Sequence, residues 1–165
     1  MDDQSIDTVA RAALALLSRF VDPAFAGQIG DLARALQPQP DDYAKVFTAE
    51  VAEQVKAAYK VFWETLPPWP VRKEQTQLHV HAARVEDFLE ETPRGRQFPG
   101  GYKSIAKYLV PGPIWVCWKH TEPGRESGLA FDGLVSLEGR FAWFPKPWKM
   151  LRATILLAEL SHWSE

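Results

Sequence analysis

The stretch GLAFDGLVSLEGRFAWFPKPW, residues 128–148, decides the fold. It holds two strand-like runs, GLAFDGLVSL and RFAWF, joined by Glu138-Gly139. A dipeptide of this kind between two such runs predicts a tight β-hairpin. A two-residue loop also sets the register, with Leu134 opposite Trp143 and Val135 opposite Ala142. Aromatic–aliphatic pairs of this sort stabilise a sheet by ~0.2–1 kcal/mol each. Pro145 and Pro147 lie beyond the ladder, where proline must lie because it has no N–H to donate. RFAWF therefore reads as the last strand of an antiparallel meander and PKPW as its exit. Trp148, at the end of that exit, is also placed to reach a ligand or partner.

Upstream, IWVCWKHT (residues 114–121) predicts a further strand, and EPGRES a turn. TQLHVHAA (residues 76–83) alternates, with Leu78, Val80 and Ala82 on one face and Gln77, His79 and His81 on the other. Between these strands RVEDFLEETPRGRQFPGG is polar and broken, with a short helical piece. YKSIAKYLV predicts a short amphipathic helix through Tyr102, Ile105 and Leu109, stopped by Pro111-Gly112-Pro113.

The first half has a different period. Ile6, Val9, Ala13, Leu16, Leu17 and Phe20 form one helical stripe. Asp22-Pro23 restarts the chain as N-cap and first turn. Phe25, Ile29, Leu32 and Leu36 form a second stripe, ended by QPQPDD. DYAKVF predicts a helical turn. Thr48 is the expected N-cap of a third helix, with Glu50 in its first turn and Val51, Val55, Ala58, Tyr59, Phe62 and Leu66 on its apolar face. LPPWP stops it. The tail KPWKMLRATILLAELSHWSE reads as helix or strand, the helix being preferred.

Helices first and antiparallel strands second predict an α+β fold: N-terminal helices on a curved antiparallel sheet of four to five strands, with a C-terminal helix. The expected organisation is one domain over residues 1–165, with a helical part at 5–67, a sheet part at 75–146 and an extension at 147–165. Hydrophobic residues make up 46% and charged residues 24%, which is globular composition and excludes a disordered chain. A net charge of -2 gives no reason to expect nucleic acid or an anionic membrane as partner. The acidic N-terminus and the lack of an apolar run near ~18 residues make a cytoplasmic location the expectation. Cys117 has no second cysteine to pair with, and its apolar strand predicts a buried, inert thiol.

The element order and hydrophobic pattern over residues 9–148 resemble the nuclear-transport-factor-2-like fold, also seen in small polyketide cyclases. GLAFDGLVSLEGRFAWFPKPW is similar to that family's closing hairpin. The chain departs from the pattern in placing three helical stripes before its first strand. The resemblance implies helices on the concave face of a cone-shaped sheet and a pocket between them. Members of the fold class serve as enzymes, ligand binders and protein-binding modules, and some bacterial members look like immunity proteins that silence a toxin.

His79 and His81, two apart on a strand, share a face and could ligate a metal with a third group such as His120 or Asp132. No metal motif is completed, so a structural or surface role is preferred and no cofactor is expected. Asp132 interrupts an apolar run. It is either a buried general base working with His79 or His81, as in cyclase-like members, or the mark of a bulge at Asp132-Gly133 with the acid in water; the second is preferred. Seven tryptophans, at 63, 69, 115, 118, 143, 148 and 163, can fill a core or make an interface patch. Trp118 and Trp148 are the candidate contacts. The acidic segment with Glu86, Asp87, Glu90 and Glu91 is a candidate docking surface for a basic partner. There is no phosphate loop, CxxC, HExxH or G-x-S-x-G motif. The expected function is a non-enzymatic protein-binding module, of the immunity type that neutralises a toxin or pairing with its own copy. The alternative is a small-molecule binder or a cofactor-free enzyme of the cyclase type, using His79, His81 and Asp132.

Overall fold

The computed structural model describes residues 3–154. Four antiparallel strands form one curved sheet in sequential order: β1 (Gln77–Ala83), β2 (Ile114–Thr121), β3 (Gly128–Leu137) and β4 (Arg140–Trp143). The last hairpin closes through Glu138 and Gly139, at φ 51° and 80°. Two left-handed residues in succession match the twist of the flanking strands. Leu134 lies opposite Trp143 and Val135 opposite Ala142, as the loop length requires.

The register slips once between β2 and β3. Val116 pairs with Leu134 and Trp118 with Phe131, so Cys117 faces two residues, Asp132 and Gly133. Gly133 sits at φ 89°, and a Cβ there would lie 1.9 Å from the Phe144 carbonyl oxygen. Only glycine allows this close approach, in which the Phe144 N–H donates to the Gly133 carbonyl at 2.7 Å. The bulge expected at Asp132-Gly133 is present. The acid is not in water, however: Asp132 is 6% exposed.

Among the described residues seven α-helices surround the sheet: α1 (Asp3–Leu17), α2 (Ile29–Arg34), α3 (Asp42–Val46), α4 (Ala52–Glu64), α5 (Val85–Glu90), α6 (Gly101–Ile105) and α7, residues 147–154. α1 rests on β1 through a stripe that buries Ile6, Ala13 and Leu17. α4 runs along the β4 side and buries Val55, Tyr59 and Trp63; Tyr59 meets Phe144 and Trp63 meets Trp143 edge-on. On the other face Trp115 is enclosed by Phe47, Tyr102 and Phe144. Trp115 and Trp118 occupy opposite faces, yet both are buried, because helices cover both sides of the sheet at that level.

Two local expectations are corrected. Asp22 does cap, its carboxylate accepting the Ala24 N–H at 2.9 Å with Pro23 next. The turn it starts is a 3-10 stretch, Pro23–Gln28, before α2 begins. Phe25, Ile29 and Leu32 of that second stripe are only half-buried; Ile29 packs against the edge of the core and also lines an open cleft. Thr48 accepts the N–H groups of Val51 and Ala52 through its backbone carbonyl, and its buried hydroxyl has no partner among the described residues. The cap expected of its side chain is therefore not made.

The helical reading of the tail holds for residues 147–154, and residues 155–165 lie outside the described range. Trp148 covers Gly101 so closely that a Cβ there would meet its side chain at 2.4 Å. α3 is tied to the last hairpin by Arg140, whose guanidinium grips the fully buried Asp42 carboxylate with both terminal nitrogens. No helix among the described residues is long and apolar enough to cross a membrane.

Candidate functional site

The segment LPPWP does more than stop α4. Its prolines hold the chain extended and carry Trp69 across the sheet face that bears Phe131 and Trp143. The Trp69 ring is stacked between Phe20 at 4.7 Å and Phe131 at 4.6 Å, nearly parallel to the latter. Trp143 and His120 meet it edge-on at 5.9 Å and 6.0 Å. Quadrupole complementarity favours both arrangements, so the ring is fixed on four sides.

Trp69 helps to wall an open cleft of about 1200 Å³ between the second helical segment, the LPPWP strap and the start of α7. Small-molecule pockets run to about 300–1,000 Å³, so there is room for a ligand of drug size or more. The apolar lining comes from Phe20, Ile29, Phe62, Phe131, Trp143 and Met150. Among the described residues the charged lining is uneven: Arg34, Arg72, Lys73, Lys146 and Lys149 against the carboxylate of Asp22. Asp22 is engaged as an N-cap, and Arg34 donates to the Trp63 carbonyl at 3.2 Å.

Behind Trp69 lies His120, fully buried. Its Nε2 accepts the Trp118 indole N–H at 3.1 Å, and its Nδ1 has no partner among the described residues. Burial pushes its pKa down to about 4, so the ring is neutral at physiological pH.

The residues singled out in the sequence are distributed differently. His79 and His81 share an exposed face, as alternation predicts. His79 Nε2 lies 3.0 Å from the Thr121 hydroxyl. Burial, then His79 and Lys119, lower the His81 pKa. His120 pairs with Leu78 across the strands and so points to the opposite face, which rules out the His79–His81–His120 ligand set. Among the described residues no group of three His, Cys, Asp or Glu could hold a metal.

Asp132 is on the histidines' side of the sheet but beneath its cover. Its carboxylate accepts the Tyr102 hydroxyl at 2.7 Å and the Lys146 N–H at 3.1 Å, and its carbonyl accepts the Trp143 indole N–H at 2.8 Å. Burial raises its pKa against the lowering effect of those two donors and of Lys146 and Lys149. This carboxylate is engaged in holding structure, whereas the histidines lie at the surface. The arrangement does not favour the alternative reading, a general base with a histidine beside it in one cavity.

Trp118 is corrected from a candidate contact to a core residue, 2% exposed and stacked on Phe131. Trp148 is half-buried against Tyr102. Asp87 is also reassigned: its carboxylate accepts the Arg84 N–H at 2.9 Å and the Thr92 hydroxyl at 2.7 Å, which closes the start of α5. Glu91 is paired with Lys103 at 3.1 Å. Glu86 and Glu90 stay exposed, beside Leu89 at 56% exposure.

In the sequence LPPWP reads as a stop with Trp69 a candidate for an aromatic patch, and a pocket is implied only by the fold resemblance. A tryptophan between prolines, after a helix and before a strand, was the available signal. No family model, curated protein or solved structure matches the chain.

Proposed function

We propose that the protein is a non-enzymatic binding protein whose ligand lies in the cleft beside Trp69. The observation that carries this reading is the apolar lining of a cleft that size, built around a ring held by four aromatic neighbours. Apolar surface left facing water forgoes about 25 cal/mol per Å², and an apolar ligand would recover it. A pocket between helices and sheet is also what the nuclear-transport-factor-2-like resemblance implies. We read the protein as cytoplasmic, since its buried thiol needs no oxidising compartment.

The test uses Gly30, which lines the cleft in α2 and has open space where a Cβ would be. Gly30→Phe intrudes on the cleft wall and favours the helix, so it should fold at least as well as the parent. An uncharged apolar fluorescent probe, Nile red, should bind the parent and lose most of its affinity for Gly30→Phe. Equal binding to both proteins at equal melting temperature rejects the cleft as the site.

A second reading rests on α5, where exposed Leu89 stands between exposed Glu86 and Glu90. That surface suits a basic protein partner, as an immunity-type function requires. A partner recovered by the parent and lost with Leu89→Asp, but retained by Gly30→Phe, would favour it over the cleft.

A further inference from the structure

Four cations at the cleft make no ion pair among the described residues, although Lys146 and Lys149 feel the buried Asp132 carboxylate. Arg72 and Lys73 follow the Trp69 strap, and Lys146 and Lys149 flank the start of α7. All four are exposed. The lysines of α7 sit where helix electrostatics are least favourable to them. The first turn of a helix carries its positive end, and lysine there adds to that charge. The described first turn, residues 147–150, contains no acid to offset it.

Lys146 is also strained. It takes φ 48°, a left-handed conformation that a non-glycine residue rarely adopts. Buried Asp132 holds it there by accepting its N–H. Strain kept in place by a buried carboxylate is a reason to look for function at that side chain.

We propose that the ligand is a free amphiphile with one carboxylate head. Its apolar body lies against Trp69 and its head lies among Arg72, Lys73, Lys146 and Lys149. This inference rests on the cleft reading above and gives it a ligand class. Asp132 then acts as a positioning residue: it touches no ligand and fixes the lysine that does.

Decanoate and decanol, which differ in the head alone, separate the two levels of the argument. Calorimetric titration of the intact protein should show decanoate binding about tenfold more tightly at low salt, the advantage of a charge-assisted hydrogen bond. Raising the ionic strength should shrink that ratio. The Lys146→Gln, Lys149→Gln double variant should bring it towards one and leave decanol affinity unchanged. Equal affinity of the parent for both probes overturns the anionic head and leaves the cleft reading standing. No binding of either probe overturns both. Binding to phosphatidylglycerol vesicles without binding of decanoate also overturns the proposal, because the anion would then belong to a membrane surface.

Discussion

Removing the two halves of the Asp42–Arg140 pair should have unequal costs. The Asp42 side chain is 0% exposed and the Arg140 side chain 32%. Arg140→Ala strands a buried carboxylate, which keeps the Gln39 N–H at 2.7 Å and Lys45 at 3.8 Å. Breaking a buried pair costs about 3–5 kcal/mol, and those two remaining partners place this case near 3 kcal/mol. Asp42→Ala instead leaves a guanidinium that can turn to water and to the Gln39 side chain, already 3.3 Å away. Its cost should be about 1.5–2 kcal/mol, the range of lost hydrogen bonds to a charged group. Acid separates the variants further. In the parent, burial pulls the Asp42 pKa up, but Arg140, the Gln39 N–H and Lys45 outweigh it, and the net value lies below 3.8. A depressed carboxyl stabilises above its unfolded pKa, and that contribution is lost as pH falls through the folded pKa. Without Arg140, burial dominates and the sign reverses, so Arg140→Ala should recover part of its deficit on acidification. Urea unfolding followed by tryptophan fluorescence, at neutral pH and near about pH 4, measures both effects. The reasoning fails if Asp42→Ala costs as much as Arg140→Ala at neutral pH, or if the Arg140→Ala deficit does not narrow in acid.

Asp132 carries the opposite pH signature. Its raised carboxyl pKa contributes stability at low pH that is lost as pH rises through the folded value. Asp132→Asn, which keeps an oxygen for Tyr102 and Lys146, should remove that slope and melt no lower than the parent at neutral pH. His120, lowered to about 4 from 6.5, should cost the fold roughly 3 kcal/mol as pH falls across that interval. His120→Gln, still able to accept from Trp118, should flatten this part of the melting-temperature profile; an unchanged profile would place the acid sensitivity elsewhere. Gly133→Ala should lose more than about 2 kcal/mol, from its left-handed backbone and from collision with the Phe144 carbonyl. A melting temperature within error of the parent would refute the account of the bulge.

What could be read in the sequence was local. The Glu138-Gly139 turn sets its own register, because two residues of left-handed backbone leave one way to pair the strands. The helical stripes of α1 and α4 follow from a period of 3.6, although Trp63, fully part of the α4 face, was not assigned to it. The cleft was not local. Its walls come from the second helical segment, the proline strap and the start of α7, which lie far apart along the chain. Asp42 and Arg140 are 98 positions apart, and no pattern within either neighbourhood signals the other. Asp132 was noticed because it interrupts an apolar run. Its partners Tyr102 and Lys146 come from separate elements, so its role as a brace needed the tertiary structure.

The sequential order of the strands bears on how the chain acquires its structure. Each sheet pairing joins neighbours along the chain, and the connections shorten towards the end: residues 84–113, then 122–127, then a two-residue turn. Closing a loop costs entropy that rises with its length, so the final hairpin closes most cheaply and β1 joins at the greatest cost. α1 is synthesised long before the strand it rests on. Its stripe of Ile6, Ala13 and Leu17 must wait, uncovered, for β1 to emerge and find β2. During translation, then, the N-terminal helix is the part of this chain most in need of protection from wrong partners.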